Sequence, residues 1–355
     1  MGIVRVLVVE DSLTVRSYLC EILARDPEIQ IVGQAEDGRR AIELCRELRP
    51  DIMTLDMMLP LMSGLATTEY VMAHVPTPIL IVSSSTNRGE VFKTYEALAA
   101  GAVDVLEKPA GDASDEEWER RFISTVKLVA KIRVITHLRA RLRDRDGALG
   151  PAPGASTPPQ RSASLVAIGA STGGPGALVE ILRALPREFS LPLVFVLHIS
   201  RLFGPSFADW LDSQTDRRVA FARDNEPIAS VAGRVVIAPP DQHLVVREGR
   251  FRLTRDPERH SCRPSIDVLF DSLAQELGSG VVACLLTGMG RDGAAGLLQI
   301  RRAGGLTIAQ DEATSVIYGM PREAVNLDAA IRVLPLGEIA PAIAALEASS
   351  REKRQ

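Results

Sequence analysis

Three carboxylates in the first part of the chain follow short apolar runs, at positions that suit phosphoryl chemistry. Glu10 and Asp11 come directly after one run, and Asp56 comes directly after another. If both runs are strands of one parallel sheet, these side chains meet at its carboxyl edge, where like charges repel unless a cation lies between them. Mg²⁺ suits such a site because it binds one or two carboxylates together with a phosphoryl group. We expect Glu10, Asp11 and Asp56 to bind Mg²⁺, with Asp56 as the nucleophile that forms an aspartyl phosphate.

Ser83 and Lys108 follow two later apolar runs in the same way. The Lys108 ammonium and the Ser83 hydroxyl can both donate hydrogen bonds to phosphoryl oxygens. For any single residue of this kind, a polar group that faces water at a loop end is the commoner outcome. A series of such residues at successive strand ends is harder to explain in that way. We therefore assign Ser83 and Lys108 as phosphoryl contacts.

A different chemistry is indicated in the second half, by the segment Gly169-Ala170-Ser171-Thr172-Gly173. It follows a buried apolar run and precedes a predicted helix, which is the context of the G-x-S-x-G turn that exposes a nucleophilic serine. Backbone N–H groups at the start of that helix could stabilise an oxyanion. A phosphate-binding turn is the alternative, but the P-loop lysine and the G-x-G-x-x-G spacing are missing. Ser171 is the predicted nucleophile.

A nucleophilic serine needs a base, and His198 is the best placed of the five histidines because it alone ends a buried run of the second half. A histidine in that position is more often structural, so the prediction depends on a third residue. Asp292 follows another apolar run and can orient the imidazole. It could also cap the helix that begins near Gly293. The chain order Ser, His, Asp differs from that of α/β-hydrolases, which indicates a different scaffold.

The hydrophobic pattern predicts a scaffold that brings such strand ends together. Apolar runs alternate with amphipathic stretches up to residue 110 or so, and again from Ser164 onward. The fold class is therefore α/β, with two doubly wound, mainly parallel sheets, flavodoxin-like in the first half and Rossmann-like in the second. We expect domains at 1–112 and 161–350, joined over 113–160 by a helix and a flexible Pro- and Gly-rich linker. That helix is predicted to extend from about Asp115 to Arg145, and the segment REGR to form a hairpin tip.

Composition narrows the possible partners and the location. The formal net charge of -4 and the pI near 5.9 argue against a nucleic-acid partner, which needs a clustered basic surface. The N-terminal apolar run is too short to span a bilayer, so we expect no membrane insertion. The four cysteines form no C-x-x-C pair and have no histidine at metal-ligand spacing. A cytoplasmic protein is expected.

The first half resembles a response-regulator receiver domain over about residues 3 to 110. The resemblance rests on the segments VVEDS, LDMMLP, VSSS and EKPA. It implies that a chemotaxis histidine kinase phosphorylates Asp56 in a reaction that needs Mg²⁺. Val105 stands where this family usually has an aromatic residue, and Met58 stands where relatives often carry an acidic or polar one.

The second half resembles the chemotaxis protein-glutamate methylesterase family, and with the receiver included the resemblance spans nearly the whole chain. It rests on the segments IGASTGGPGAL, VLHIS, IAPPDQHL, RPSIDVLF, LLTGMGRDGA and YGMPREAV. It implies hydrolysis of glutamate γ-methyl esters on methyl-accepting chemotaxis receptors, regulated by phosphorylation, with glutamine deamidation as a second activity. Ser171 would be the nucleophile, His198 the base and Asp292 its orienting carboxylate. Thr172 and the N–H of Met289 would contact the oxyanion or the substrate, and ester hydrolysis would need no cofactor.

Two alternatives remain open. The second half could be a non-catalytic binding module of a response regulator, with DNA as the usual partner, although no basic recognition helix is visible. The enzyme could also be a dedicated amidase, because esters and amides use the same nucleophile and oxyanion chemistry. Ser171→Ala separates an enzyme from a binding module, because only the enzyme depends on that hydroxyl.

Overall fold

The structure is a computed structural model that describes residues 2–84, 88–108, 116–132, 163–199 and 203–352. The chain divides into two compact units, Met1–Gly154 and Ala155–Gln355. Each unit is built around its own parallel sheet. Among the described residues, no helix combines the length and the apolar character needed to cross a membrane.

The first unit alternates strands and helices. Its strands are β1 (Val4–Val9), β2 (Ile29–Ala35), β3 (Ile52–Leu55), β4 (Ile79–Ser83) and β5 (Asp104–Glu107). Its helices are α1 (Leu13–Ala24), α2 (Gly38–Leu48), α3 (Gly64–His74), α4 (Arg88–Ala99) and α5 (Glu116–Val129).

The five strands lie in the order β2-β1-β3-β4-β5, and every pair is parallel. This is the flavodoxin-like order, so the predicted fold of the first half is confirmed. The strand order reverses between β1 and β3, and the loops that carry Glu10, Asp11 and Asp56 leave the sheet there. On one face, Val6, Val8 and Phe122 belong to a single buried cluster. Burial of each such side chain contributes about 1.5–3 kcal/mol.

The predicted length of α5 is wrong. The helix ends at Val129, and residues 130–132 form a turn rather than the continuation that was expected. Phe122, Val126 and Val129 are its buried residues, and Lys131 and Ile132 donate backbone hydrogen bonds only three residues back. Ala130 and Ile132 still pack against the core, so the helix ends in a tightened turn rather than at a loss of core contact, which the sequence pattern alone did not show. The rest of the predicted helix and nearly all of the linker lie outside the described residues.

The second unit has nine strands and six helices in its described part. The strands are β6 (Leu165–Ala170), β7 (Leu193–Leu197), β8 (Val219–Phe221), β9 (Val235–Ile237), β10 (His243–Arg247), β11 (Arg250–Thr254), β12 (Val281–Leu285), β13 (Leu306–Gln310) and β14 (Arg332–Leu334). The helices are α6 (Gly174–Ala184), α7 (Gly204–Ser213), α8 (Ile266–Glu276), α9 (Ala294–Arg302), α10 (Met320–Asn326) and α11 (Leu336–Glu352).

Seven of these strands form a parallel sheet in the order β14-β13-β12-β6-β7-β9-β8. The central strands β6, β7 and β12 are buried along their whole length, as expected for a sheet covered on both faces. β6 lies between β12 and β7, so the loops after these three strands meet at one edge. The predicted doubly wound sheet of the second half is confirmed, and its central loops are the ones that carry the predicted hydrolytic residues.

Strands β10 and β11 form a separate antiparallel hairpin. Its tip, Glu248-Gly249, has positive φ at both residues (53° and 68°), as a two-residue type I′ turn requires. This confirms the prediction for REGR. His243, in β10, is fully buried, and its Nδ1 accepts a hydrogen bond from the N–H of Ser265. The hairpin thereby supports the N-terminus of α8.

Candidate active site

Ser171 lies in a tight turn between β6 and α6. Its N–H donates to the Thr287 carbonyl (3.0 Å), and its own carbonyl accepts from the N–H of Gly174 (2.7 Å). Gly173 has φ +79°, and a Cβ there would lie 2.7 Å from Val316 Cβ, so both the backbone and the available space require glycine. The turn therefore holds Ser171 at the N-terminus of a helix, as predicted for a nucleophile turn.

The loop after β12 passes directly beside Ser171. A Cβ built on Gly288 would lie 2.7 Å from the Cβ of Ser171. Met289 follows and exposes 56% of its surface, and among the described residues its N–H has no acceptor. The carbonyl of Thr172 accepts from the Thr287 hydroxyl at 2.9 Å, which ties the two turns together. The two predicted oxyanion or substrate residues therefore lie in the turns that flank Ser171.

His198 comes directly after β7, and its N–H donates to the Ala170 carbonyl at 3.1 Å. Its Nε2 lies 2.8 Å from Asp292 Oδ2, and its Nδ1 lies 3.8 Å from Cys262 Sγ. Because the carboxylate accepts, the neutral ring carries its proton on Nε2, and the Nδ1 lone pair faces the Cys262 thiol. Among the described residues, the Ser171 hydroxyl has no hydrogen-bond partner. The structure thus joins His198 to Asp292, while Ser171 is placed one strand away without a direct bond.

Asp292 is buried and accepts hydrogen bonds at both oxygens. Oδ2 accepts from the N–H of Ile266 at 2.8 Å as well as from His198. Oδ1 accepts from the Ser265 hydroxyl (2.8 Å) and from the N–H groups of Asp267 and Gly293 (both 3.1 Å). The carboxylate thus caps α8. It is not the N-cap of α9, because that position is Gly293, which has no side chain to accept a hydrogen bond. The α8 dipole favours the negative charge that faces His198.

Charge and burial act on this pair in opposite directions. Burial alone would lower the pKa of His198, but the hydrogen bonds to Asp292 and Cys262 raise it from 6.5 to about 9. Burial alone would raise the pKa of Asp292, but the His198 bond and charge and the α8 N–H groups lower it below 3.8. Each partner therefore favours the charged form of the other, which is how an imidazolium is stabilised beside a nucleophile.

Sequence reasoning missed several residues that shape this site, all within the segment HSCRPSID. Ser265 contacts Asp292 directly, and Cys262 contacts His198. Asp267 is fully buried and lies 3.0 Å from Nε2 of His260, which forms a second histidine-carboxylate pair next to the first. The available signal was a run of polar residues at the start of a helix. Its role is visible only after the chain brings that helix to the sheet edge.

The predicted phosphoryl site also comes together, at the edge of the first sheet. Lys108 Nζ lies 2.8 Å from Glu10 Oε2 and 3.0 Å from Asp56 Oδ2. Oxygens of Glu10, Asp11 and Asp56 lie within 4.8 Å of one another. Ser83 is buried at the end of β4, where its carbonyl accepts from the Lys108 N–H at 3.0 Å. All the residues predicted for this site are therefore at one edge.

Electrostatics make the acidic cluster a suitable place for a divalent cation. Burial raises the pKa of Glu10 above 4.5, and the Asp56 charge adds to this effect although Lys108 opposes it. Burial alone would lower the pKa of Lys108, but Glu10 and Asp56 raise it above 10.5. One ammonium cannot balance three carboxylates, and an all-oxygen donor set of this size is the kind that Mg²⁺ prefers. The residues present therefore fit this ion.

Comparisons with known proteins agree with both halves. The family model for CheB methylesterase matches residues 166–343, and the one for the response regulator receiver domain matches residues 6–115. A protein-glutamate methylesterase/protein-glutamine glutaminase of Anaeromyxobacter dehalogenans is 43% identical over 342 residues, which are 96% of each chain. One from Pseudomonas aeruginosa is 45% identical over 345 residues, again 96% of each chain. The crystal structure of the Thermotoga maritima CheB methylesterase catalytic domain matches at 37% identity and TM-score 0.49, covering 52% of this chain and 100% of that one.

Proposed function

Because this chain belongs to the CheB methylesterase family, we propose that it hydrolyses glutamate γ-methyl esters on methyl-accepting chemotaxis receptors and deamidates receptor glutamines. The observation that carries the proposal is the His198–Asp292 pair, 2.8 Å apart, at the same sheet edge as the Ser171 turn. In this proposal the receiver spans residues 1–112 and the catalytic domain spans residues 161–350, with residues 113–160 between them.

The proposed reaction is acyl transfer. The Ser171 oxygen forms a bond to the ester carbonyl carbon while its proton passes to Nδ1 of His198. His198 returns this proton to the leaving methoxide, so methanol departs and an acyl-enzyme remains. Water then repeats the sequence and releases the glutamate carboxylate and free Ser171. Asp292 stabilises the imidazolium in both halves of the reaction.

The oxyanion of each tetrahedral intermediate needs donors near Ser171. We assign this role to the N–H of Met289, supported by its lack of an acceptor among the described residues, together with Thr172 and the N-terminus of α6. Loss of one such donor typically reduces kcat by about 100- to 1000-fold. The same donors would serve an amide, in which case ammonia leaves in place of methanol.

Regulation is proposed to act through Asp56. A chemotaxis histidine kinase would donate the phosphoryl group, and an Asp56 oxygen would form the new bond to phosphorus as the donor nitrogen leaves. Lys108 and Ser83 would then contact the phosphoryl oxygens. Glu10, Asp11 and Asp56 would hold Mg²⁺, which when bound neutralises charge between the carboxylates and the phosphoryl group.

The test is methanol release from methylated receptor membranes by the full-length protein, with and without Mg²⁺ and a small phosphodonor. Ser171→Ala should remove release, and Ser230→Ala, an exposed serine far along the chain from the turn, serves as the matched control. Release that depends on Ser171 and rises with the phosphodonor supports both parts of the proposal.

Each negative outcome of that experiment has its own meaning. Ammonia release from receptor glutamines without methanol release points to a dedicated amidase. No release of either product from cognate receptors points to a binding output module and contradicts the proposal. We place the reaction in the cytoplasm, which is supported by four free cysteines.

A further inference from the structure

Cys262 has no part in the proposed reaction, yet its thiol contacts the catalytic imidazole. Its Sγ lies 3.8 Å from His198 Nδ1, the ring nitrogen left over once Nε2 is bound to Asp292. The side chain is half-buried and belongs to the loop that leads into α8. A thiol and an imidazole at this separation form a chelating pair.

The spacing is that of two ligands on one zinc ion. Zinc binds sulfur at about 2.3 Å and imidazole nitrogen at about 2.0–2.1 Å. With those bond lengths, the 3.8 Å separation corresponds to an S–Zn–N angle of about 120°, within the range of a distorted tetrahedron. The two donor atoms are therefore already at the separation that a common zinc ion requires.

The surroundings of His198 support the same conclusion independently. A metal-binding histidine usually donates its other ring N–H to a carboxylate, which fixes the ring and raises its basicity. Asp292 does this at Nε2, and donor atoms of His198, Cys262 and Asp292 lie within 4.8 Å of one another. A thiolate and an imidazole select zinc over the hard cations that the receiver carboxylates prefer.

We propose that Nδ1 of His198 and Sγ of Cys262 bind Zn²⁺, and that the bound ion inhibits the enzyme. The thiol proton passes to solvent as the zinc-sulfur bond forms, and water fills the remaining positions. With Nδ1 occupied, His198 cannot accept the Ser171 proton. The binding site rests on geometry alone, and only its inhibitory effect rests on the proposed function.

The test of binding uses the full-length protein with saturating Mg²⁺, so that the receiver site is occupied. Co²⁺ serves as the spectroscopic probe because a thiolate ligand gives bound Co²⁺ an intense charge-transfer band. Added Zn²⁺ should displace the Co²⁺ and remove this band. Cys262→Ser should remove the band and weaken Zn²⁺ binding, measured by calorimetry, by at least about tenfold. Changes to residues that only hydrogen-bond to a metal ligand already weaken metal binding by about that much. Cys20→Ser, at the other half-buried cysteine, should leave both unchanged.

Two further variants test whether Asp292 supports His198 as a zinc ligand and whether metal binding is independent of catalysis. Asp292→Asn removes no ligand, but it should weaken Zn²⁺ binding about 10- to 100-fold as the ring loses its carboxylate partner. Ser171→Ala should retain the charge-transfer band although it is inactive. In the methanol assay, Zn²⁺ should inhibit the wild type, and the activity that Cys262→Ser retains should no longer fall when Zn²⁺ is added.

The absence of a thiolate band, or equal Zn²⁺ affinity in Cys262→Ser, would mean adventitious metal only and would overturn the proposal. A band that depends on Cys262 in a protein without esterase activity would support the metal site and contradict the proposed function. Esterase activity in a protein that gives no thiolate band would support the proposed function and contradict the metal site.

Discussion

Asp292→Asn tests the charge arrangement of the active site with little change in volume. An asparagine has only one acceptor oxygen, whereas both carboxylate oxygens of Asp292 accept hydrogen bonds. Oδ1 receives three donors, so the amide oxygen should occupy that position and the amide nitrogen should face His198. His198 Nε2 must then accept, which moves the neutral ring's proton to Nδ1, the nitrogen that acts as the base in the proposed reaction.

The expected size of the effect follows from the pKa of His198. Its rise from 6.5 to about 9 corresponds to on the order of 3 kcal/mol of preference for the charged ring in the folded protein. Without the carboxylate, burial is left as the main effect and should bring the pKa of His198 to 6.5 or below. The wrong tautomer should also reduce kcat by about 10⁴-fold, the loss typical of this substitution in a triad.

The assay is an NMR titration of the histidine rings, with His198→Gln to assign the signal and a chelator to exclude bound metal. Wild-type His198 should remain charged until the pH approaches about 9, so methanol release should rise with pH through the same range. Because the folded pKa is raised, the stability that the pair contributes is complete below pH 6.5 and is lost between 6.5 and about 9. A wild-type ring that titrates near 6.5, or a variant within tenfold of wild-type activity, would refute the reasoning.

Three other substitutions test individual parts. Ser265→Ala removes a hydrogen bond to the Asp292 carboxylate, worth about 1.5–3 kcal/mol, and the α8 cap, worth about 1 kcal/mol. Methanol release should fall about tenfold or more, and chemical denaturation should show the loss of stability, whereas Ser272→Ala in the same helix should affect only stability. Gly173→Ala should lower the stability of the catalytic unit by at least about 1–2 kcal/mol, measured by thermal unfolding, because φ is +79° and the added Cβ has no space. Unchanged stability there would contradict the steric argument. Asp56→Asn should abolish the rise in methanol release with a phosphodonor, and a persistent rise would exclude Asp56 as the acceptor.

Much of the architecture could be predicted because local pattern is enough for it. The apolar runs that lead to Glu10, Asp56, Ser83 and Lys108 are all strands of one parallel sheet, as predicted. Parallel sheets need only buried runs alternating with helices, and the hairpin tip is indicated by Gly249, which tolerates positive φ. The helix α5 is the exception, because its last turn tightens after Val129 although the chain still packs against the core there.

The sequence by itself determined which side chains reach the carboxyl edges of the two sheets, because the residue after a buried strand must leave the sheet there. Ser171, His198 and the Asp56 cluster were identifiable for that reason. Only the tertiary structure decided what these residues contact. Asp292 caps α8 rather than α9, the helix that follows it in the chain, and Cys262 lies against His198, since both contacts join segments distant in the chain. No local pattern encodes such distances, because they are set by how helices and loops pack on the sheet.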